Sequence, residues 1–133
     1  MDGIDQEILK ILKKNSRTSY VEIARTVGLT EGAIRRRVKI MLDAGIITKF
    51  TIETASQTEG IVLIKTDPLR TGEVSSRLKE LSERVFEISG EYDLAAFIYS
   101  ESIKELNRRI DEIRGISGIL NTNTLIKLTN HTE

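Results

Sequence analysis

The sequence predicts an α+β fold in two parts: a three-helix unit, then an antiparallel sheet backed by two helices. Three observations predict it. Apolar residues recur at helical spacing through residues 4–42 and then give way to short runs with strand character. The charge changes sign along the chain, which carries no net charge overall: residues 1–50 hold ten Lys or Arg against six Asp or Glu, and residues 51–133 hold ten against fourteen. The second part also has an internal symmetry of strand and helix pieces, separated by Gly-containing breaks. The expected organisation is therefore a basic unit over 1–50, a connection over 51–60 and a second unit over 61–133.

The first helix is expected over about residues 4–14. Asp2 can cap it, Asp5 faces the positive end of the helix dipole, and Ile4, Ile8, Ile11 and Leu12 form its apolar stripe. Ser19 and Glu22 have capping-box spacing for a second short helix, and Gly28 sits where a tight turn needs positive φ. Thr30 can cap a third helix with Ile34, Val38, Met41 and Leu42 on one face, closed by Gly45. Two short helices joined by a three-residue turn containing Gly form a helix-turn-helix, whose second helix lies in the DNA major groove. With Ile34 and Val38 inward, Arg35, Arg36 and Lys39 fall on open faces and Arg37 at the flank. Thr30 and Glu31 stand at the end that meets base edges. Arginines suit this task, because they pair with phosphate through charge and with guanine through two parallel donors. A solvated charged face on an ordinary helical hairpin is the alternative at this point.

Ile46 and Ile47 begin extended chain, residues 48–54 read as a strand, and residues 55–60 as a turn. Beyond it come a strand at 60–66 and a helix at 71–84 with Val74, Leu78 and Leu81 inward. A strand at 85–89, a tight connection at 90–93 and a strand at 94–99 follow. A helix at 102–114 has Ile103, Leu106, Ile110 and Ile113 inward; a break at 115–118 precedes a last strand at 119–128. That order is the ferredoxin-like βαββαβ motif, with both helices on one face of the sheet. A second subunit is the economical cover for the other face.

Composition narrows the function classes. With 39% hydrophobic and 30% charged residues in 133, the chain reads as soluble and globular. It has no apolar run of membrane-spanning length and no signal-peptide apolar region, so it reads as cytoplasmic, with no membrane partner. There is no Cys and a single His, His131, which removes disulfides, thiol catalysis, iron–sulfur clusters and Cys/His zinc sites. No phosphate-binding glycine loop or Ser–His pair is present, and Asp111 and Glu112 are adjacent on a helix and point apart. No enzyme, catalytic residue, metal or cofactor is expected.

Taken together, Ile4-Asp5 with Ile8-Leu9 and Leu12, residues 15–17, Glu22-Ile-Ala, Val27-Gly-Leu-Thr30, Arg37-Val-Lys, Gly45-Ile-Ile, Gly90-Glu-Tyr-Asp93, Ile116-Ser-Gly118 and Thr122-Asn-Thr124 carry a family pattern. The chain resembles the Lrp/AsnC, or feast/famine, transcription regulators over nearly its whole length. The resemblance implies a sequence-specific regulator of double-stranded DNA whose C-terminal, RAM-type domain dimerises through its sheet. It also implies further assembly to tetramers or octamers and a response to a free amino acid bound where neighbouring dimers meet. It adds Arg17 to the DNA-binding set of Thr30, Glu31, Arg35, Arg36, Arg37 and Lys39. For the effector it implies Gly90, Tyr92 and Asp93 in one loop and Thr122 and Thr124 on the last strand. Arg108 and Glu112 are then candidates to read the effector's side chain, the acid favouring a cationic one such as lysine. A constitutive or architectural DNA-binding protein with no effector is the alternative.

Overall fold

The computed structural model of the chain describes residues 1–55 and 58–131. Capping chemistry sets the helix starts. Asp2 Oδ1 accepts from the Asp5 N–H at 2.9 Å while Asp5 Oδ2 accepts from the Asp2 N–H at 3.3 Å, a reciprocal box opening α1 (Gly3–Lys14). Ser19 Oγ accepts from the Glu22 N–H at 3.1 Å to open α2 (Tyr20–Val27), which Gly28 ends at φ 78°. Thr30 Oγ1 accepts from the Ala33 N–H at 3.2 Å to open α3 (Glu31–Asp43). These helices bury Ile8, Leu12, Ile23, Ala24, Ile34, Val38 and Met41 in one core, against which Ile4, Ile11 and Ile47 pack. Leu42, expected inward, is 40% exposed: Met41 takes the inner position, and the next residue lies about 100° further round the helix.

The strand expected over 48–54 does not form. Its Thr, Ile and Phe content suits a pleated surface, but a strand needs a neighbour to complete its hydrogen bonds, and this segment has none among the described residues. Of the turn expected over 55–60, residues 56 and 57 lie outside the described residues, and Thr58 to Gly60 belong to the next strand.

That strand is β1 (Thr58–Thr66), followed by α4 (Thr71–Leu81), β2 (Arg84–Glu87), β3 (Leu94–Ser100), α5 (Ile103–Arg114) and β4 (Ile119–Ile126). The sheet order is β2-β3-β1-β4 with every neighbour antiparallel, the ferredoxin-like arrangement. Strand alternation divides the residues between two faces. Val62, Ile64, Leu94, Ala96 and Ile98 pack with Val74 and Leu78 of α4 and Leu106, Ile110 and Ile113 of α5. A Cβ on Gly60 would stand 3.2 Å from Leu106 Cδ1, so α5 approaches β1 closely there.

Several boundaries differ from expectation. Helix α4 stops at Leu81 because Ser82 is extended and Arg84 already pairs with Phe97 in the sheet. Ile103 is 53% exposed, since its place in the first turn of α5 overhangs the core. Strand β4 ends at Ile126, and Leu128 beyond it is exposed. The other sheet face carries Ile61, Leu63, Phe86, Ala95, Phe97, Tyr99 and Leu125, with Phe86 and Phe97 edge to face at 5.6 Å. Neither α4 nor α5 covers it. The chain divides into two units, Met1–Glu53 and Thr54–Glu133. No helix among the described residues is long and apolar enough to cross a membrane.

Candidate nucleic-acid interface

The helix-turn-helix rests on α3. Ile34 and Val38 lock its inner face into the core, so the residues between them must point outward. Arg35, Arg36 and Lys39 are exposed and Arg37 is half-buried, as the spacing predicts. What the spacing does not reveal is how differently the four cations are engaged.

Arg37 reaches across to α1. Its Nη1 donates to Asp2 Oδ1 at 3.0 Å, to Asp2 Oδ2 at 2.8 Å and to Asp5 Oδ1 at 3.0 Å. These charge-assisted bonds hold the Asp2 carboxyl below its ordinary pKa and raise that of Arg37. Arg37 therefore ties the capping box of α1 to the middle of α3. Arg35 Nη2 pairs with Glu31 Oε1 at 2.6 Å, and its guanidinium carbon lies 5.2 Å from the centre of the Tyr20 ring. Lys39 Nζ pairs with Asp43 Oδ2 at 2.8 Å, which raises the lysine's pKa. Arg36 has no acidic partner among the described residues, and neither do exposed Arg17 and Arg25. Arg17 lines a groove with Lys13, Lys14 and Lys49, its own N–H bonded to Asn15 Oδ1 at 3.0 Å. The sequence places Asp2 and Asp5 at the start of α1, but neither their link to Arg37 nor the place of Tyr20 under Arg35 is legible there, because these contacts run between helices.

The residues expected to serve an effector are placed unevenly. Gly90, at φ 123°, makes the turn that only glycine adopts readily. Asp93 is bonded through its N–H, its carbonyl and one carboxylate oxygen. Its N–H donates to Ile64 O at 2.9 Å, its carbonyl accepts from the Ile88 N–H at 3.0 Å, and its Oδ2 accepts from the Thr66 N–H at 2.8 Å. Thr66 Oγ1 in turn lies 2.7 Å from Thr71 Oγ1 at the start of α4. Tyr92 is half-buried. Thr122 and Thr124 share a face, but it is the helix-backed one, opposite Ile64 and Val62. The Thr124 hydroxyl is buried with no hydrogen-bond partner among the described residues.

Arg108 pairs with both Glu112 and Glu105, the latter at 2.7 Å, and Arg109 pairs with Glu83 at 2.6 Å. The Arg108 guanidinium holds the Glu105 pKa down to about 2, with Arg109 assisting. Glu112 lines a cleft of about 380 Å³ with Arg70, Glu73, Arg77, Asp111 and Ser117, where Arg70 Nη1 donates to Ser117 Oγ at 2.8 Å. Of the expected effector residues, only Glu112 lines this cleft. Arg70 and Arg77 were not anticipated, since nothing in their spacing marks them, and Ser117 was expected only as part of the break at 115–118. No cluster of acids and histidine among the described residues could hold a metal ion.

Comparison with known proteins points to DNA binding. The family described as winged helix-turn-helix DNA-binding matches residues 1–48. The HTH-type transcriptional regulator LysM of Sulfurisphaera tokodaii is 37% identical, over 96% of this chain and 95% of its own. The structure of AsnC from E. coli superposes with a TM-score of 0.77 at 27% identity, covering 100% of this chain and 95% of that one. A feast or famine regulatory protein from M. tuberculosis, solved in complex with L-methionine, has the same fold. Its TM-score is 0.82 at 21% identity, covering 99% of this chain and 95% of that one.

Proposed function

The chain belongs to the Lrp/AsnC family of transcription regulators, and from that premise we propose that it reads a two-fold related DNA site under the control of an amino acid. The family makes it a DNA-binding regulator and not an enzyme. The assembly, the effector and the individual contacts are our reading.

The observation that carries it is α3, capped by Thr30 and held by Ile34 and Val38 while it presents Arg36 with no acidic partner among the described residues. Arg36 and Arg17 neutralise phosphates, Lys39 does so by leaving Asp43, and Thr30 and Glu31 lie at the end facing the bases. Arg37, spent on Asp2 and Asp5, reaches DNA only by giving up that pair. A second copy of the chain covers the apolar sheet face of Ile61, Leu63, Phe86 and Phe97, which pairs two recognition helices. Half-sites about 10 bp apart, or a multiple, then match the two-fold axis. Such a protein works where the DNA is, in the cytoplasm of a cell without a nucleus.

The L-methionine bound by the mycobacterial relative supports an amino-acid effector. Here the loop of Gly90, Tyr92 and Asp93, with Thr122 and Thr124, binds its α-groups, and Glu112 with Arg108 reads its side chain. The acid favours a cationic amino acid. The effector acts by linkage, altering DNA affinity only as far as it prefers one assembly over another. A constitutive binder is the second reading, favoured by one observation: Asp93, Arg108 and Glu112 already have partners within the chain. Fluorescence anisotropy on DNA from upstream of the protein's own gene, with each amino acid added in turn, separates the two. A shift in affinity with one amino acid supports the response; salt-sensitive binding that no amino acid alters selects the constitutive binder.

A further inference from the structure

Three of the four cations of α3 are met by four carboxylates of the same unit: Arg35 by Glu31, Arg37 by Asp2 and Asp5, and Lys39 by Asp43. A helix that binds DNA by charge alone has no use for this arrangement, since every internal pair must be given up, or carried along, when phosphates approach. Glu31 is the most telling of the four. It opens α3, at the end that meets base edges, and its carboxylate adds a negative charge to a surface that must face a polyanion. It also fixes Arg35, which is held at one end by the 2.6 Å pair and flanked by the Tyr20 ring.

Gly32 follows, and a Cβ there would meet nothing within 4 Å. Packing within the unit does not require glycine at this helical position, and glycine weakens a helix relative to alanine. Its effect is to leave the first turn of α3 without a side chain next to Glu31.

We propose that Glu31 is a specificity-determining residue of the recognition helix, holding Arg35 off the DNA backbone and releasing it to adjacent bases that satisfy both side chains. The chemistry names those bases. A guanidinium is accepted by guanine O6 and N7, and a carboxylate accepts from the cytosine amino group. The two side chains are four residues apart on one helix face, so they address neighbouring base pairs. Phosphates satisfy only the arginine and repel the acid, so mixed-sequence DNA gains little from Arg35. Arg36, untethered, supplies the sequence-blind attraction. This inference rests on the DNA-binding reading above.

The test measures affinity for a mixed-sequence duplex across a salt series, together with selection of preferred sites from a randomised duplex library. The full chain is compared with Glu31→Gln, Arg35→Gln and the double variant. Glu31→Gln is expected to bind mixed-sequence DNA about 3- to 10-fold more tightly, with a salt slope steeper by about 0.9 for each helix engaged. Its selected sites should lose the preference for cytosine beside guanine. In the Arg35→Gln background the same change should raise affinity far less, because no tethered cation remains to be freed. Both side chains are exposed, so the unfolding midpoints of all variants should coincide with the parent's. An unchanged slope and an unchanged selected site in Glu31→Gln would overturn the proposal, as would an equal gain with and without Arg35. Failure of the parent to bind any duplex at low salt would instead remove the DNA-binding reading itself.

Discussion

Two helices of this chain carry consecutive arginines, and the fold treats them differently. In α5, Arg108 bridges Glu105 and Glu112, Arg109 joins Glu83 and Glu105, and Arg114 pairs with Asp111, so every arginine is matched by an acid. In α3, Arg35 and Arg37 are matched and Arg36 is left over. The lesson is that a helix offers DNA its unpaired arginines and not its count of arginines, although exposed Lys104 of α5 also has no acid partner among the described residues. Arginine content alone would rank α5 beside α3; the pairing separates them.

The sharpest way to break this comparison is Arg36→Ala. Affinity for duplex DNA should fall about 10-fold or more near 0.1 M salt, and the salt slope should become shallower by about 0.9 per helix engaged. The unfolding midpoint should stay put, since the side chain is exposed; a large drop would place Arg36 in the fold and not on the binding surface. A smaller effect on binding, joined to a loss of stability, is expected for Arg37→Gln. It removes the link between α3 and the cap of α1, and urea unfolding should detect it, whereas the salt slope of DNA binding should hardly change. A slope change equal to that of Arg36→Ala would return Arg37 to the DNA-contacting set.

The α5 pairs can be read through pH. Glu105 has its pKa held down from 4.5 to about 2 in the folded chain. The unfolded chain therefore binds the proton first, and the stabilisation is complete above about pH 5 and lost as pH falls through 4.5 towards 2. Glu105→Gln should flatten that part of the stability–pH curve; an unaltered curve would show that solvent already screens the pair. The smallest effect is expected of Arg108→Gln on DNA binding, where neither affinity nor salt slope should move beyond experimental error.

The element order was legible because each piece carries its own local signal. Ser19, Thr30 and Ser102 are followed three residues later by the amides they cap, and Ile34 with Val38 or Leu106 with Ile110 and Ile113 mark inner faces unaided. The pairing was not legible. Asp2 and Asp5 lie more than thirty residues from Arg37, and no periodicity joins them. Residues 48–54 misled for a related reason: β propensity describes the side chains, whereas a strand depends on the neighbour beside it. Thr122 and Thr124 were rightly placed on the last strand, but only the register against β1 shows that they lie on the face backed by helices.

The position of β1 bears on how the molecule is made. The first strand of its unit lies in the middle of the sheet, between β3 and β4. During synthesis it must wait for Ile119–Ile126 to emerge before its second edge is closed, while α1, α2 and α3 are complete by Asp43 from contacts close in sequence. The part that grips DNA is thus finished before the sheet that would hold two copies together.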